Sequence, residues 1–134
     1  MKLNKSYPIN KLSDKQLEKL TALCHIACIT EMGINRRKKK FLTLSVEDTS
    51  GRNTYGEYDP IINEIKIFVD NSNTIFEFIS TFIHEYTHYL QPIRTKYYKL
   101  LDEFGYEKHP HEIQARNNEN YLTPIIYEMI KNAF

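Results

Sequence analysis

His84-Glu85-Tyr86-Thr87-His88 is an H-E-x-x-H run, and it carries the clearest chemistry in the chain. On a helix, His84 and His88 fall one turn apart on the same face, so two imidazoles can reach one metal ion. Glu85 lies too far round to be a natural third ligand. It is placed instead to take a proton from a metal-activated water. Zinc is the ion this arrangement suits, and hydrolysis is the chemistry it offers.

A catalytic zinc keeps three protein ligands and an open position. The longer pattern H-E-x-x-H-x-x-G-x-x-H does not apply, because Gln91 and Arg94 stand where it needs glycine and histidine. A cysteine ligand would have to come from a distant helix. The remaining candidates cluster at Asp102, Glu103, Glu107, His109, His111 and Glu112. Glu112 is preferred: Pro110 fits the first position of a helix, which holds Glu112 in the first turn. Ala115, one turn on, is small enough to let that helix pack closely. His109 and His111 are the alternatives, as ligands, oxyanion stabilisers or substrate contacts. Glu77 and Asp102 are candidate acids to orient the ligating imidazoles.

These side chains need elements to hold them. Ile75, Ile79, Phe82, Ile83, Tyr86 and Leu90 repeat at three- and four-residue steps, which predicts a buried helix over 73–91. Asn73 or Ser72 can cap it, and Pro92 ends it. Small residues at Ser80 and Thr81 leave room beside the histidines. Upstream, residues 1–12 read as an extended polar lead-in. Ser13 caps a helix whose stripe runs Leu17, Leu20, Cys24, Ala27, Cys28 and Met32, with Gly33 as its stop. His25 falls off that stripe and reads as a surface residue. Strands are predicted at 41–46, 54–58 and 63–69, the last two as an antiparallel pair. Gly56 inside a strand signals a bulge or a close backbone approach. Short helices are expected at 95–103, from Pro110 to about Tyr121, and from Pro124 to about Asn132.

At 134 residues, with 41% apolar and 26% charged content, the chain reads as one domain of a soluble globular protein, 1–134. A net charge of +1 gives no global case for nucleic acid or membrane. The basic run Arg36, Arg37, Lys38, Lys39, Lys40 is first a solvated loop and only secondarily a phosphate-binding patch. No apolar leader or membrane-length segment is present in the sequence, so a cytoplasmic monomer is expected. Cys24 and Cys28, four apart on a helix, suit buried core positions in a reducing compartment.

His84-Glu85-x-x-His88 followed by Glu112-x-x-Ala115 resembles the small gluzincin-type zinc metallopeptidases, the minimal forms found in prokaryotes and their phages. The runs Thr87-His88-Tyr89-Leu90-Gln91 and His109-Pro110-x-Glu112-Ile113-x-Ala115-Arg116 look like the two signature blocks of such proteins. Gly56-Glu57-Tyr58-Asp59, followed by Ile65 and Ile67, is similar to their strand pair. The resemblance covers residues 41–121. It implies a zincin-like α+β fold, with a small, twisted, mainly antiparallel sheet against the motif helix and a later helix presenting the glutamate. It also implies peptide-bond hydrolysis with Glu85 as general base and Zn2+ held by His84, His88 and Glu112. The cleft-edge strand, with Gly56, Glu57 and Tyr58, would hold a peptide or protein substrate. Gln114 stands where many relatives place a second acid, so no role is carried onto it. His109, His111 and Tyr121 are the candidates for the oxyanion-steadying group. The rival class is a catalytically silent zinc-binding domain serving regulation or partner binding, with or without nucleic acid. Glu85 argues against it, because a structural zinc site needs no such acid.

Overall fold

The computed structural model describes residues 3–38, 40–48, 54–70, 73–92 and 94–133. The element order is α1 (Asp14–Met32), β1 (Thr43–Asp48), β2 (Gly56–Asp59), β3 (Glu64–Val69), α2 (Ile75–Leu90), α3 (Arg94–Phe104) and α4 (Pro110–Ile130), with a 3-10 turn at Ile9–Lys11 ahead of them. The fold is α+β. Helix α2 is its hub, packing on α4, α1, β2 and β3.

The apolar stripe explains that position. Ile75, Phe78, Ile79, Phe82, Ile83 and Tyr86 are all within 1% of full burial. Burying each such side chain contributes roughly 1.5–3 kcal/mol. They meet Ile65 and Ile67 from the sheet, Cys24, Ala27 and Cys28 from α1, and Ile126 and Ile130 from α4 in one cluster. Both thiols are free and buried. Burial pushes Cys28 up to about 12 and Cys24 well above its ordinary range, so neither is a ready thiolate. His25 is not a simple surface residue: it is half-buried, its ring 6.4 Å from that of Phe82 and 6.0 Å from that of Tyr86.

The caps follow local chemistry. Ser13 and Gln16 form a reciprocal capping box on α1. Helix α2 is capped by Thr74, one residue later than expected: its oxygen accepts from the Glu77 N–H, and its hydroxyl donates to the Glu77 carboxylate, both at 3.2 Å. Asn73 instead accepts the Asp70 N–H at 2.6 Å, and Ser72 lies outside the described residues. Glu77 is therefore part of a helix cap and not an orienting acid for the histidines.

Three expectations need correction. The sheet is mixed, in the order β1-β3-β2, not mainly antiparallel. β2 pairs antiparallel with β3, but β1 pairs parallel with it over Thr43↔Glu64 to Asp48↔Val69. A short turn forces the β2–β3 hairpin, and β1 takes the edge of β3 that remains. Alternation of apolar residues looks alike in both directions, so it could not report this. The lead-in is also not loose: Leu3 and Ile9 are buried, Ile9 N–H donates to the Asn73 carbonyl at 2.9 Å, and Ile75 N–H to the Tyr7 carbonyl at 3.0 Å. Finally, α4 runs unbroken through Pro124. A proline inside a helix costs about 3 kcal/mol. Here Leu122, Ile126, Tyr127 and Ile130 stay on one buried stripe across it, and their burial offsets that cost.

Gly56 is where the sheet touches α2. A Cβ there would lie 2.8 Å from Thr81 Cγ2, 3.0 Å from the Lys66 carbonyl oxygen and 3.3 Å from Glu85 Cγ. Its signal was thus a close approach of a helix and not a bulge. Gly56→Ala should destabilise the protein by roughly 1–3 kcal/mol, as overpacking does. Thr81→Ser in the same chain should recover part of that loss. An unchanged denaturant midpoint for Gly56→Ala would refute the contact.

Candidate metal centre

Helix α2 carries His84, Glu85 and His88, and α4 lies against it closely enough to bring Glu112 to both histidines. Ala115, fully buried one turn past Glu112, permits that approach. Glu112 Oε2 lies 3.1 Å from His84 Nε2, and Glu112 Oε1 lies 3.0 Å from His88 Nε2. The ligand atoms of these three residues all fall within 4.8 Å of one another, so they form a group that can hold a metal ion. Three ligands about 2.1 Å from one tetrahedral centre would be about 3.4 Å apart, a spacing inside the 4.8 Å that spans these atoms. Asp102, Glu103 and Glu107 are exposed, and none of them joins the group.

The outer nitrogens of both rings are held. His84 Nδ1 lies 3.3 Å from Glu119 Oε1. His88 Nδ1 lies 2.7 Å from Gln91 Oε1. The orientation of Gln91 is fixed by its amide group, which donates to the His111 carbonyl and to Gln114 Oε1, each at 2.9 Å. Its oxygen must therefore accept the His88 Nδ1–H. Both imidazoles are left with Nε2 facing Glu112, so loss of the Nε2 proton gives the tautomer a metal ligand needs. Glu119 sits seven residues beyond Glu112 on α4, two turns along the same face. That spacing was the available signal for it. Gln114, given no role from sequence, buttresses Gln91.

A tyrosine and a histidine support Glu112. Tyr97 on α3 donates to Glu112 Oε1 at 2.9 Å. Burial and the nearby Glu112 carboxylate raise the Tyr106 pKa. His109 is fully buried and has both ring nitrogens engaged. Its Nδ1 caps α4 by accepting the His111 N–H at 3.0 Å, and its Nε2–H donates to the Tyr97 carbonyl at 2.8 Å. His109 is thus a brace between α3 and α4, not an oxyanion or substrate contact. His111 does line the cleft. Tyr121 is 71% exposed and does not line it.

The cleft has a volume of ≈ 450 Å³. Gly56, Glu57 and Tyr58 of β2 line one part of it, and His84, Glu85, His88 and Glu112 another. The basic run is split: Arg36 and Arg37 are exposed, Lys38 turns into the cleft, Lys39 lies outside the described residues, and Lys40 reaches the Ile61 carbonyl at 3.3 Å. Among the described residues, no helix is long and apolar enough to cross a membrane.

Electrostatics separate the two carboxylates. Burial pushes Glu85 up to about 7, against the pull of His88 and His84. Burial also opposes charge on Glu112, but its hydrogen bonds to His84, His88 and Tyr97 outweigh this and hold it well below the usual carboxylate range. Burial lowers the His84 pKa, yet the Glu112 and Glu119 carboxylates win and raise it to about 10. Burial also lowers His88, but the Glu112 and Glu85 carboxylates outweigh it and raise its pKa.

Without metal, these raised histidines stabilise the fold fully below their unfolded value of 6.5, and the contribution is lost as pH rises towards about 10. The melting temperature in chelator should therefore fall across that window. With metal bound the imidazoles are neutral ligands, so the fall should be much smaller. Parallel melts in chelator and in excess zinc check this, and identical slopes would refute it. Glu119→Ala should weaken metal binding about 10- to 100-fold, read by competition with a chelating dye.

In comparison with known proteins, no family model, no curated protein and no solved structure matches the chain.

Proposed function

We propose that the protein is a zinc-dependent metallopeptidase of the small gluzincin type, with a zincin-like fold. The observation that carries this reading is the meeting of three features in one cleft: a two-histidine, one-glutamate ligand group, a buried unligated carboxylate at Glu85, and an edge strand beside them. Zinc held by His84, His88 and Glu112 would polarise a peptide carbonyl and lower the pKa of a water to about 7.

The chain's own groups supply the rest. Glu85 is 7% exposed, and its proton affinity near neutrality lets it accept a proton from the attacking water and return it to the leaving amine. Among the described residues β2 is bonded to a strand on one side only, so an extended peptide can add along its other edge by main-chain pairing. Gly56 keeps that edge close to Glu85, because any side chain there would strike α2. His111 and Tyr106, both on the cleft wall, are the groups placed to donate to a substrate carbonyl.

The test is metal content and cleavage on two variants. Glu85→Gln should retain near-stoichiometric zinc and lose at least about 100-fold in cleavage of a denatured protein substrate, the scale of a removed general base. Glu112→Ala should lose zinc and activity together. Undiminished cleavage by Glu85→Gln would refute the assigned base. Full zinc content in Glu112→Ala would refute the third ligand. Stoichiometric zinc in the wild type with no cleavage of any peptide would favour a metal-binding domain without catalysis.

A further inference from the structure

The cleft has a second constructed feature that the metal chemistry does not use. Asn35, just past α1, fastens its loop to α2. Its side-chain amide donates to the Tyr89 carbonyl at 3.0 Å, and its backbone N–H donates to the Tyr89 hydroxyl at 3.1 Å. The Asn35 carbonyl accepts the Lys38 N–H at 3.3 Å, and its side-chain oxygen accepts the Arg37 N–H at 3.1 Å. This turn leaves Arg36 and Arg37 exposed and sends Lys38 into the cleft.

There the ammonium is gripped. Lys38 Nζ donates to the Tyr58 hydroxyl and lies 4.6 Å from the Tyr58 ring centroid and 5.9 Å from that of Tyr89. Tyr58 in turn donates to Asn63, which is 3% exposed and holds the Lys40 carbonyl at 2.8 Å. The loop, the β2–β3 turn and α2 thus fix one lysine from three sides. Among the described residues no carboxylate pairs with it. It is also the only lysine or arginine among the described residues lining the cleft, beside acids at Glu57, Asp59, Glu85 and Glu112. An ammonium has three N–H donors, and the tyrosine hydroxyl takes one. Half-burying a cation this way lowers its pKa and has a cost that an anionic partner would offset.

We propose that Lys38 forms a subsite for a substrate carboxylate, so that the cleft selects peptides presenting an anion at one fixed position beside the scissile bond. That anion is an Asp or Glu side chain or the peptide's own C-terminal carboxylate. The inference rests on the peptidase reading for the bond broken and adds to it the class of substrate. The lysine binds and positions; it has no part in the proton transfer.

The test uses the zinc-saturated full chain and N-acetylated synthetic peptides that carry Glu or Gln at each position in turn, with free or amidated C-termini. The wild type should cleave the Glu peptide at one position at least about 10-fold better in kcat/KM than its Gln counterpart, the scale of one charge-assisted hydrogen bond, and mainly through KM. Lys38→Met should reduce that ratio to about one, Lys38→Arg should keep it, and Lys38→Glu should turn preference towards Lys. Loss of cleavage on amidating the C-terminus would identify the terminal carboxylate as the anion. No effect of amidation would identify the side chain. Equal cleavage of Glu and Gln peptides at every position, with no loss on amidating the C-terminus, overturns the subsite and leaves the peptidase reading standing. If no peptide is cleaved, the peptidase reading fails, and binding of the same peptides decides the subsite. Tighter Glu-peptide binding that Lys38→Met abolishes would uphold it; equal binding would overturn it.

Discussion

A single carboxylate bridging two imidazoles organises this protein. Glu112 joins α4 to both histidines of α2 at 3.0 and 3.1 Å, in a place where it is only 3% exposed. An anion so far out of water is costly unless paired. Two imidazoles and the Tyr97 hydroxyl supply that pairing in the absence of metal, and a cation would take it over when bound. The same contact therefore clamps two helices together and gathers a group that can hold a metal ion.

The surrounding polar groups form a closed chain around that clamp. Glu119 holds the outer nitrogen of His84; Gln91, itself held by Gln114 and the His111 carbonyl, holds that of His88. His109 caps α4 and ties down α3, whose Tyr97 returns to Glu112. Among the described residues no buried side-chain nitrogen or oxygen lacks a partner. A network satisfied to this degree fixes one geometry, whereas a partly satisfied one would be a liability in a low-dielectric interior. The apolar side of α2 makes this affordable, since Phe78, Phe82 and Tyr86 anchor the helix from behind.

The ligand group was legible in the sequence because helix period converts spacing directly into a shared face. His84 and His88 needed only that, and Glu112 needed only a proline that starts a helix. Gly56 was legible as an anomaly, though its cause, the flank of α2, was not. What could not be read depends on the packing of elements distant in sequence. Gln91 looked like a mere departure from a longer metal motif, and Tyr97 was only one residue of a short expected helix. His109 looked like a substrate contact because nothing in sequence says that its two nitrogens are spent on α3 and α4. Tyr121 lies nine residues past Glu112 on α4, half a turn round the helix from it, and so faces solvent. The direction of β1 was hidden because a period of two carries no sign.

The contrast between Glu85 and Glu112 deserves the last step. They are chemically the same group, both nearly buried, both beside the same two histidines. Glu112 accepts directly from both rings and from Tyr97, and its proton is driven off. Glu85 feels those rings only through space while burial acts on it unopposed by any such bond, so its proton affinity rises to near neutrality. Position on the helix is the whole difference: Glu85 shares α2 with the histidines and is turned off their face, while Glu112 arrives from a separate helix and meets them head on. When environments push two like acids apart in this way, one suits permanent ligation and the other suits proton exchange. The fold thus creates two distinct chemical groups from one residue type, and the proposed division of labour between ligand and base follows from that separation.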